Sequence, residues 1–253
     1  MQRMKALGLA LGLLIGFCAS ANANFSSAPV AHGVSTSTDG GDPPAVTLDT
    51  TGSDFTVVVL SSLFHEDPSH ITDTYNGTFA FAEASSHCSA AGPQYCVTIY
   101  YCSGCTYGAS DAFHCTGCGY ATFTVMTFSG AKATSVLDAV GGQTSSSATS
   151  LSSGSVTPAS NGELIVTGVE TGGGGVTYSV DSGFTISNQG NGPVPGGSAY
   201  LIQGTGAAVN PSWSWSPAAQ AGVAIATFLP ATYSGGGGGS TVAPRRGLMG
   251  VGQ

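Results

Sequence analysis

The sequence predicts an all-β protein, a jelly-roll-like antiparallel β-sandwich built from two similar halves. Three observations carry this expectation. Short β-rich runs recur along the chain, punctuated by Gly, Pro, Asn and Ser. No window beyond residue 23 sustains a helical apolar period, and Gly fills 39 of 253 positions, a content that helix interiors do not tolerate. The order of strand types is also stated twice, as a duplicated unit would state it.

Taken in chain order, the first element is an address. Arg3 and Lys5 precede an apolar stretch at 6–17 and the small-residue cleavage signal Ala21-Asn22-Ala23, which reads as a secretory signal peptide over residues 1–23. That stretch is too short to span a bilayer, and no later run is long and apolar enough to be a membrane helix. Cys18 would mark a lipoprotein, but Phe17 stands where a small residue is expected.

The sandwich is expected over residues 24–231. Its first half, about 40–131, offers strands at 56–60, 78–81, 97–101 and 122–128. Its second half, about 156–231, offers strands at 164–169, 177–180, 184–187, 199–203, 212–215 and 223–229. Val57-Val58-Val59-Leu60 is apolar at consecutive positions, as in a strand buried on both faces. The repeat shows where the halves open and close. Asp54-Phe55 and Glu163-Leu164 open them at an offset of 109, and Thr127-Phe128 and Thr227-Phe228 close them at an offset of 100. Between the halves, residues 132–140 offer at most one helical turn, and the Ser/Thr/Gly stretch at 141–155 reads as a flexible link. Residues 232–253 read as a flexible Gly-rich tail: its Gly run is a tether, and the end carrying Pro244-Arg245-Arg246 is either disordered or a short docking or sorting tag.

Charge narrows the partners. Once Arg3 and Lys5 leave with the leader, Lys132, Arg245 and Arg246 stand against 13 acidic residues, a formal net charge of −10. Such a surface repels phosphate backbones, which argues against nucleic acid. With only 7% charged residues, solubility falls to Ser, Thr, Asn and Gly.

Six cysteines remain beyond the leader: Cys88, Cys96, Cys102, Cys105, Cys115 and Cys118. An even number in an exported chain predicts three disulfides. Cys88 and Cys96 flank the turn signal Ala91-Gly92-Pro93. A hairpin centred near Ser110 would pair Cys102 with Cys118 and Cys105 with Cys115, although residues 102 and 105 point to opposite faces of a regular strand. The rival is a metal centre, because two Cys-x-x-Cys knuckles supply four thiolates for tetrahedral zinc or iron. The second, Cys115-Thr116-Gly117-Cys118-Gly119-Tyr120, is similar to the knuckles of rubredoxin-like iron sites. A redox-active dithiol is the third reading.

The densest polar grouping is His65-Glu66-Asp67-Pro68-Ser69-His70, with Asp73 close by. His65, Glu66, Asp67, His70 and Asp73 are donors for zinc, copper or calcium, with His87 or His114 to be added by the fold. The bland alternative is a solvated loop. The spacing lacks the helical His-Glu-x-x-His arrangement of metalloproteases. No cofactor is required by any motif. There is no Gly-x-Ser-x-Gly elbow. Among the carboxylates, Glu163 and Glu170 lie near one strand and Glu66, Asp67 and Asp73 in a loop, but spacing selects no glycosidase pair.

Trp213 and Trp215 stand two apart in Ser212-Trp213-Ser214-Trp215-Ser216 and so share one strand face. Exposed, the pair would form a platform for sugar rings, extended by Tyr178 or Tyr200. Facing inward, it would fill the core of the second half.

The run Ile71-Thr72-Asp73-Thr74-Tyr75-Asn76-Gly77-Thr78-Phe79, then Val97-Thr98-Ile99-Tyr100-Tyr101, and the strand at 123–130 ending Phe-Ser-Gly resemble exported bacterial and phage-associated β-sandwich proteins that have no assigned activity. The architecture this resemblance implies is similar to concanavalin-like and other jelly-roll modules, many of which bind glycans. The expected function is a secreted binding or surface module directed at an extracellular polysaccharide or cell-surface glycan. The alternatives are an extracellular glycan-cleaving or metal-dependent hydrolase, and a structural subunit of a surface layer, filament or phage particle.

Overall fold

The computed structural model describes residues 24–77, 81–89 and 93–232; the expected leader and nearly all of the expected tail lie outside this range. The first half forms β1 (Ala31–Thr36), β2 (Val46–Leu48), β3 (Phe55–Ser62), β4 (Ile71–Thr72), β5 (Ala82–Cys88), β6 (Cys96–Ser103), β7 (Asp111–Cys115) and β8 (Ala121–Phe128). The second forms β9 (Leu137–Ser152), β10 (Glu163–Thr171), β11 (Ser179–Val180), β12 (Thr185–Gly190), β13 (Gly196–Gln203) and β14 (Ser212–Phe228).

All pairings are antiparallel. One sheet has the order β1-β8-β3-β6-β5, a second β9-β14-β10-β13-β12 with β11 on the β10 side of β14, and a small one β2-β7-β4. The two large sheets face each other, with β3 over β10, β8 over β13, β6 over β14, β1 over β12 and β5 over β9. The protein is therefore an antiparallel β-sandwich. Each half builds one sheet whole, so the chain does not alternate between sheets as a jelly roll requires.

The register places the sequence repeat in space. Phe55 pairs with Phe128 and Leu164 with Phe228; at the other end Ser62 pairs with Ala121 and Thr171 with Ala221. The same order holds for every strand. Long β14 corresponds to β7 and β8 run together, and long β9 to β1 and β2. Because equivalent strands β3 and β10 lie over one another while the flanking order is reversed, the halves are related by an approximate two-fold axis along the strands. Aromatic contacts follow it: Tyr101 lies 5.5 Å from Phe228, and its counterpart Tyr200 lies 5.6 Å from Phe128.

Apolar residues fill three layers. Between the sheets sit Phe25, Phe55, Val57, Val59, Val97, Ile99, Met126, Phe128, Leu164, Val166 and Phe228. Val58, Leu60, Tyr100, Phe123 and Val125 lie on the outer face of the first sheet, covered by Phe113 of the small sheet. Ile165, Val169, Trp213, Trp215, Val223 and Ile225 lie on the outer face of the second, with Tyr178 packed over them. The consecutive apolar runs of β3 and β8 thus belong to strands buried on both faces. Each large side chain so buried contributes about 1.5–3 kcal/mol of transfer free energy.

Two boundaries are corrected. The stretch at 141–155, expected to be a flexible link, lies mostly within β9, and 132–140 contains the start of that strand and no helical turn. Ser, Thr and Gly suffice there because the ladder to β14 is made by backbone groups. The first half also begins earlier than 40, with β1 pairing to β8 from Ala31 to Thr36.

Candidate ligand-binding cleft

At the end of the sandwich where β3 and β10 finish, connections from both halves meet around a cleft of about 320 Å³ lined by Leu63, Pro93, Tyr95, Tyr120, Pro193 and Val194. Its two rings are seated on glycines. A Cβ on Gly172, just past β10, would stand 2.7 Å from the Tyr95 ring, and one on Gly40 2.8 Å from the Tyr120 ring. Either methyl would displace its tyrosine, so the seats must lack side chains. Tyr120 is 44% exposed and Tyr95 half-buried.

The disulfides position these rings. Cys88 and Cys96 are bonded to each other, and they close the β5–β6 hairpin beside Tyr95. Ser89 N–H donates to the Tyr95 carbonyl at 2.9 Å, and Tyr95 N–H donates to Ser89 Oγ at 3.1 Å. Gln220 Nε2 reaches Ser89 Oγ and donates to the Pro93 carbonyl at 3.3 Å, tying the hairpin to β14. On the other side, the Cys115–Cys118 disulfide fixes the turn that ends in Gly119-Tyr120, where Tyr120 adopts φ +56°. Thr122 Oγ1 donates to the Val194 carbonyl at 2.7 Å and holds the β12–β13 hairpin to β8.

The expected long-range cysteine pairing is corrected. Cys102 bonds Cys105, and Cys115 bonds Cys118, with Cα–Cα distances of 5.9 and 5.6 Å. The 102–118 hairpin does not form, because β6 pairs with β3 and β5 while β7 pairs with β2 and β4. Inside each knuckle a left-handed glycine, Gly104 at φ +77° or Gly117 at φ +82°, turns the chain back on itself. Paired in this way, the four sulfurs do not gather into one group of ligands among the described residues.

The loop at 65–70 does not converge on one point. His65 Nε2 meets Glu83 at 2.7 Å, and His70 Nδ1 meets Glu66 at 2.8 Å. Asp67 Oδ1 accepts from Ser69 N–H at 2.8 Å and caps the turn Pro68–His70. Asp73 is bound by Asn76 and by the Tyr75 and Asn76 N–H groups. His87 packs over Gly142 on β9, and His114 is exposed on β7. Among the described residues, the one grouping of three potential metal donors from His, Cys, Asp and Glu is Glu66, His70 and Cys118, within 4.8 Å of one another. With the Cys118 sulfur in a disulfide, two donors remain, and these are already bonded to each other. The grouping does not fit zinc or copper in the oxidised protein.

The aromatic platform is also corrected. Trp213 is fully buried with Nε1 donating to Thr167 Oγ1 at 3.0 Å, and Trp215 is 5% exposed. Tyr178 is 3% exposed, its hydroxyl bonded to Thr171 at 2.7 Å, and its ring stands edge-on to both indoles. Their shared face is covered by the segment carrying Val176, Tyr178 and Phe184, so the pair fills the outer core of the second half. Tyr200 lines a separate depression beside Asn24 and Phe25. Glu163 and Glu170 lie an odd number apart on β10 and face opposite sides of the sheet, so they are not paired.

Sequence reasoning passed over Tyr95 and Tyr120. The available signal was their neighbours: each adjoins a cysteine-bearing turn, in Tyr95-Cys96 and Cys118-Gly119-Tyr120. Comparison with protein-family models, characterised proteins and solved structures gives no match, so the reading of the cleft rests on its geometry.

Proposed function

We propose that the protein is an extracellular binding module that holds carbohydrate in the Tyr95–Tyr120 cleft. The observation that carries this reading is a pair of accessible aromatic rings, each fixed on a glycine seat, on hairpins and turns closed by disulfides. Such rings present flat apolar faces to the C–H faces of sugars and lose little freedom on binding. The cleft volume lies within the range of small-ligand sites, about 300–1,000 Å³. The acidic balance of the chain favours neutral over anionic glycans. Three disulfides suit an oxidising compartment, and no helix among the described residues is long and apolar enough to cross a membrane.

The test is retention of the purified protein on a panel of insoluble and soluble neutral polysaccharides, repeated with Tyr95→Ala and Tyr120→Ala. Expected is retention that each substitution weakens about tenfold or more, with far-UV circular dichroism unchanged. Failure to bind any member of the panel, or binding equal in the double variant, overturns the reading.

A further inference from the structure

At the opposite end of the sandwich, where β10 begins, buried oxygen atoms gather without enough donors. Glu163 is 0% exposed. Its Oε1 accepts from Ser160 N–H at 2.7 Å, but its Oε2 has no hydrogen-bond partner. Directly opposite it in the β10–β13 pairing stands Gln203, 8% exposed, so the two side chains rise together from one face of the sheet. Gln203 donates its Nε2 to the Ala207 carbonyl at 2.5 Å, which leaves its Oε1 also without a partner. On the other side of Glu163 lies Asp138 of β9, whose Oδ2 accepts from Ala159 N–H at 2.9 Å and from Thr227 Oγ1 at 3.3 Å. Burial and the Asp138 charge push the Glu163 carboxyl up.

Buried acceptors without partners are rare and costly, and this cluster holds two of them beside a second carboxylate. We propose that Glu163, Asp138 and Gln203 form a calcium site, with Thr227 and water completing the coordination. The donor set is all oxygen: two carboxylates, an amide carbonyl and a hydroxyl. Hard cations take such donors, and calcium tolerates an irregular arrangement better than magnesium does. The ion would join β10 to its neighbour β13 on one side and, across β14, to β9 on the other. It would also anchor the loop at 159–160, whose N–H groups already bind both carboxylates. The counterpart of Glu163 in the first half, Asp54, is satisfied instead by the Gly130 and Ala131 N–H groups at 2.8 and 3.1 Å. The site therefore belongs to the second half alone.

The experiment is calorimetric titration of the EDTA-treated protein with calcium chloride, and thermal unfolding with calcium, with magnesium and with neither. Expected is one calcium per chain and a Tm rise of about 5 °C or more at a hundredfold excess over Kd, with a smaller effect of magnesium. Glu163→Gln, which keeps the shape of the neutral acid, and Asp138→Asn should each abolish the rise. No heat and no shift would overturn the proposal. So would a shift retained in both variants, or a Tm that depends on pH through the carboxylate range but not on calcium, the behaviour of a pair that merely shares a proton. If one variant fails to fold, the other and the wild-type stoichiometry decide.

Discussion

Val59 of β3 packs directly on Gly168 of β10, and the two are the same position of the repeat. A Cβ on Gly168 would fall well inside contact distance of Val59 Cγ1 and 3.0 Å from Val97 Cγ2. On an approximate two-fold axis an equivalent pair must face itself. Two valines do not fit there, and one half has given up its side chain. Gly168→Val is therefore expected to destabilise the protein by about 3 kcal/mol or more in denaturant unfolding. Val59→Ala should recover a large part of that loss in the double variant, although on its own it opens a cavity and costs about 2 kcal/mol. Additive losses would show that the sheets separate at this point.

The cysteine pairing predicts a mass and a map. The denatured, unreduced protein should be six hydrogens lighter than the reduced chain. Proteolysis should yield Cys88 linked to Cys96, and each Cys-x-x-Cys closed on itself. Replacing both Cys115 and Cys118 by Ser removes a very short loop closure, worth about 2 kcal/mol in the chain-entropy account. That loss should register in unfolding without abolishing the fold. A peptide joining Cys102 to Cys118 would contradict the strand pairing of β6 and β7.

Asp111 predicts a pH dependence. It is fully buried on β7, its Oδ2 accepting from Thr50 Oγ1 at 3.2 Å and its Oδ1 from Thr74 N–H at 3.3 Å. Burial first, and then the charge of Asp73, raise its carboxyl from 3.8 to about 6. Between these values the folded protein holds a proton that the unfolded chain has released. Its contribution is therefore most favourable at about pH 4 and below, and is lost as pH rises through about 6. Asp111→Asn keeps an acceptor for Thr74 and offers Thr50 a donor in place of an acceptor. Relative to this variant, the wild type should lose about 2 kcal/mol of stability between pH 4 and pH 7. A constant difference across that window would show that Asp111 titrates normally.

How far the fold was legible depends on what held each strand. Runs such as Val57-Val58-Val59-Leu60 announce themselves because burial on both faces demands apolar residues in succession. The offsets 109 and 100 fall in register because the strand pairs they mark are the centre of each sheet. β9 was illegible for the converse reason: its backbone ladder needs no particular side chains, and Ser, Thr and Gly in a strand look like a linker. The orientation of Trp213 and Trp215 was also closed to sequence, since a shared face does not say what covers it. The cleft was least legible. Tyr95 and Tyr120 come from different hairpins, and their seats at Gly172 and Gly40 come from different halves or loops again, so no local pattern joins them.

Those seats give a last expectation that separates position from presence. Gly172 has an ordinary backbone conformation, and the neighbour its methyl would meet is the ring of Tyr95, whose Cε2 would lie 2.7 Å away. Because that ring is only half-buried, the added methyl can push it off its seat without disturbing the core. Gly172→Ala should therefore change stability by less than about 1 kcal/mol. It should weaken polysaccharide retention nearly as much as Tyr95→Ala does, and adding Gly172→Ala to Tyr95→Ala should have no further effect on binding. The measurement is thermal unfolding alongside affinity for all three variants. A loss of stability as large as that of Gly168→Val would mean that the ring is locked in place. Full retention in Gly172→Ala would mean that the seat of Tyr95 does not matter to the cleft.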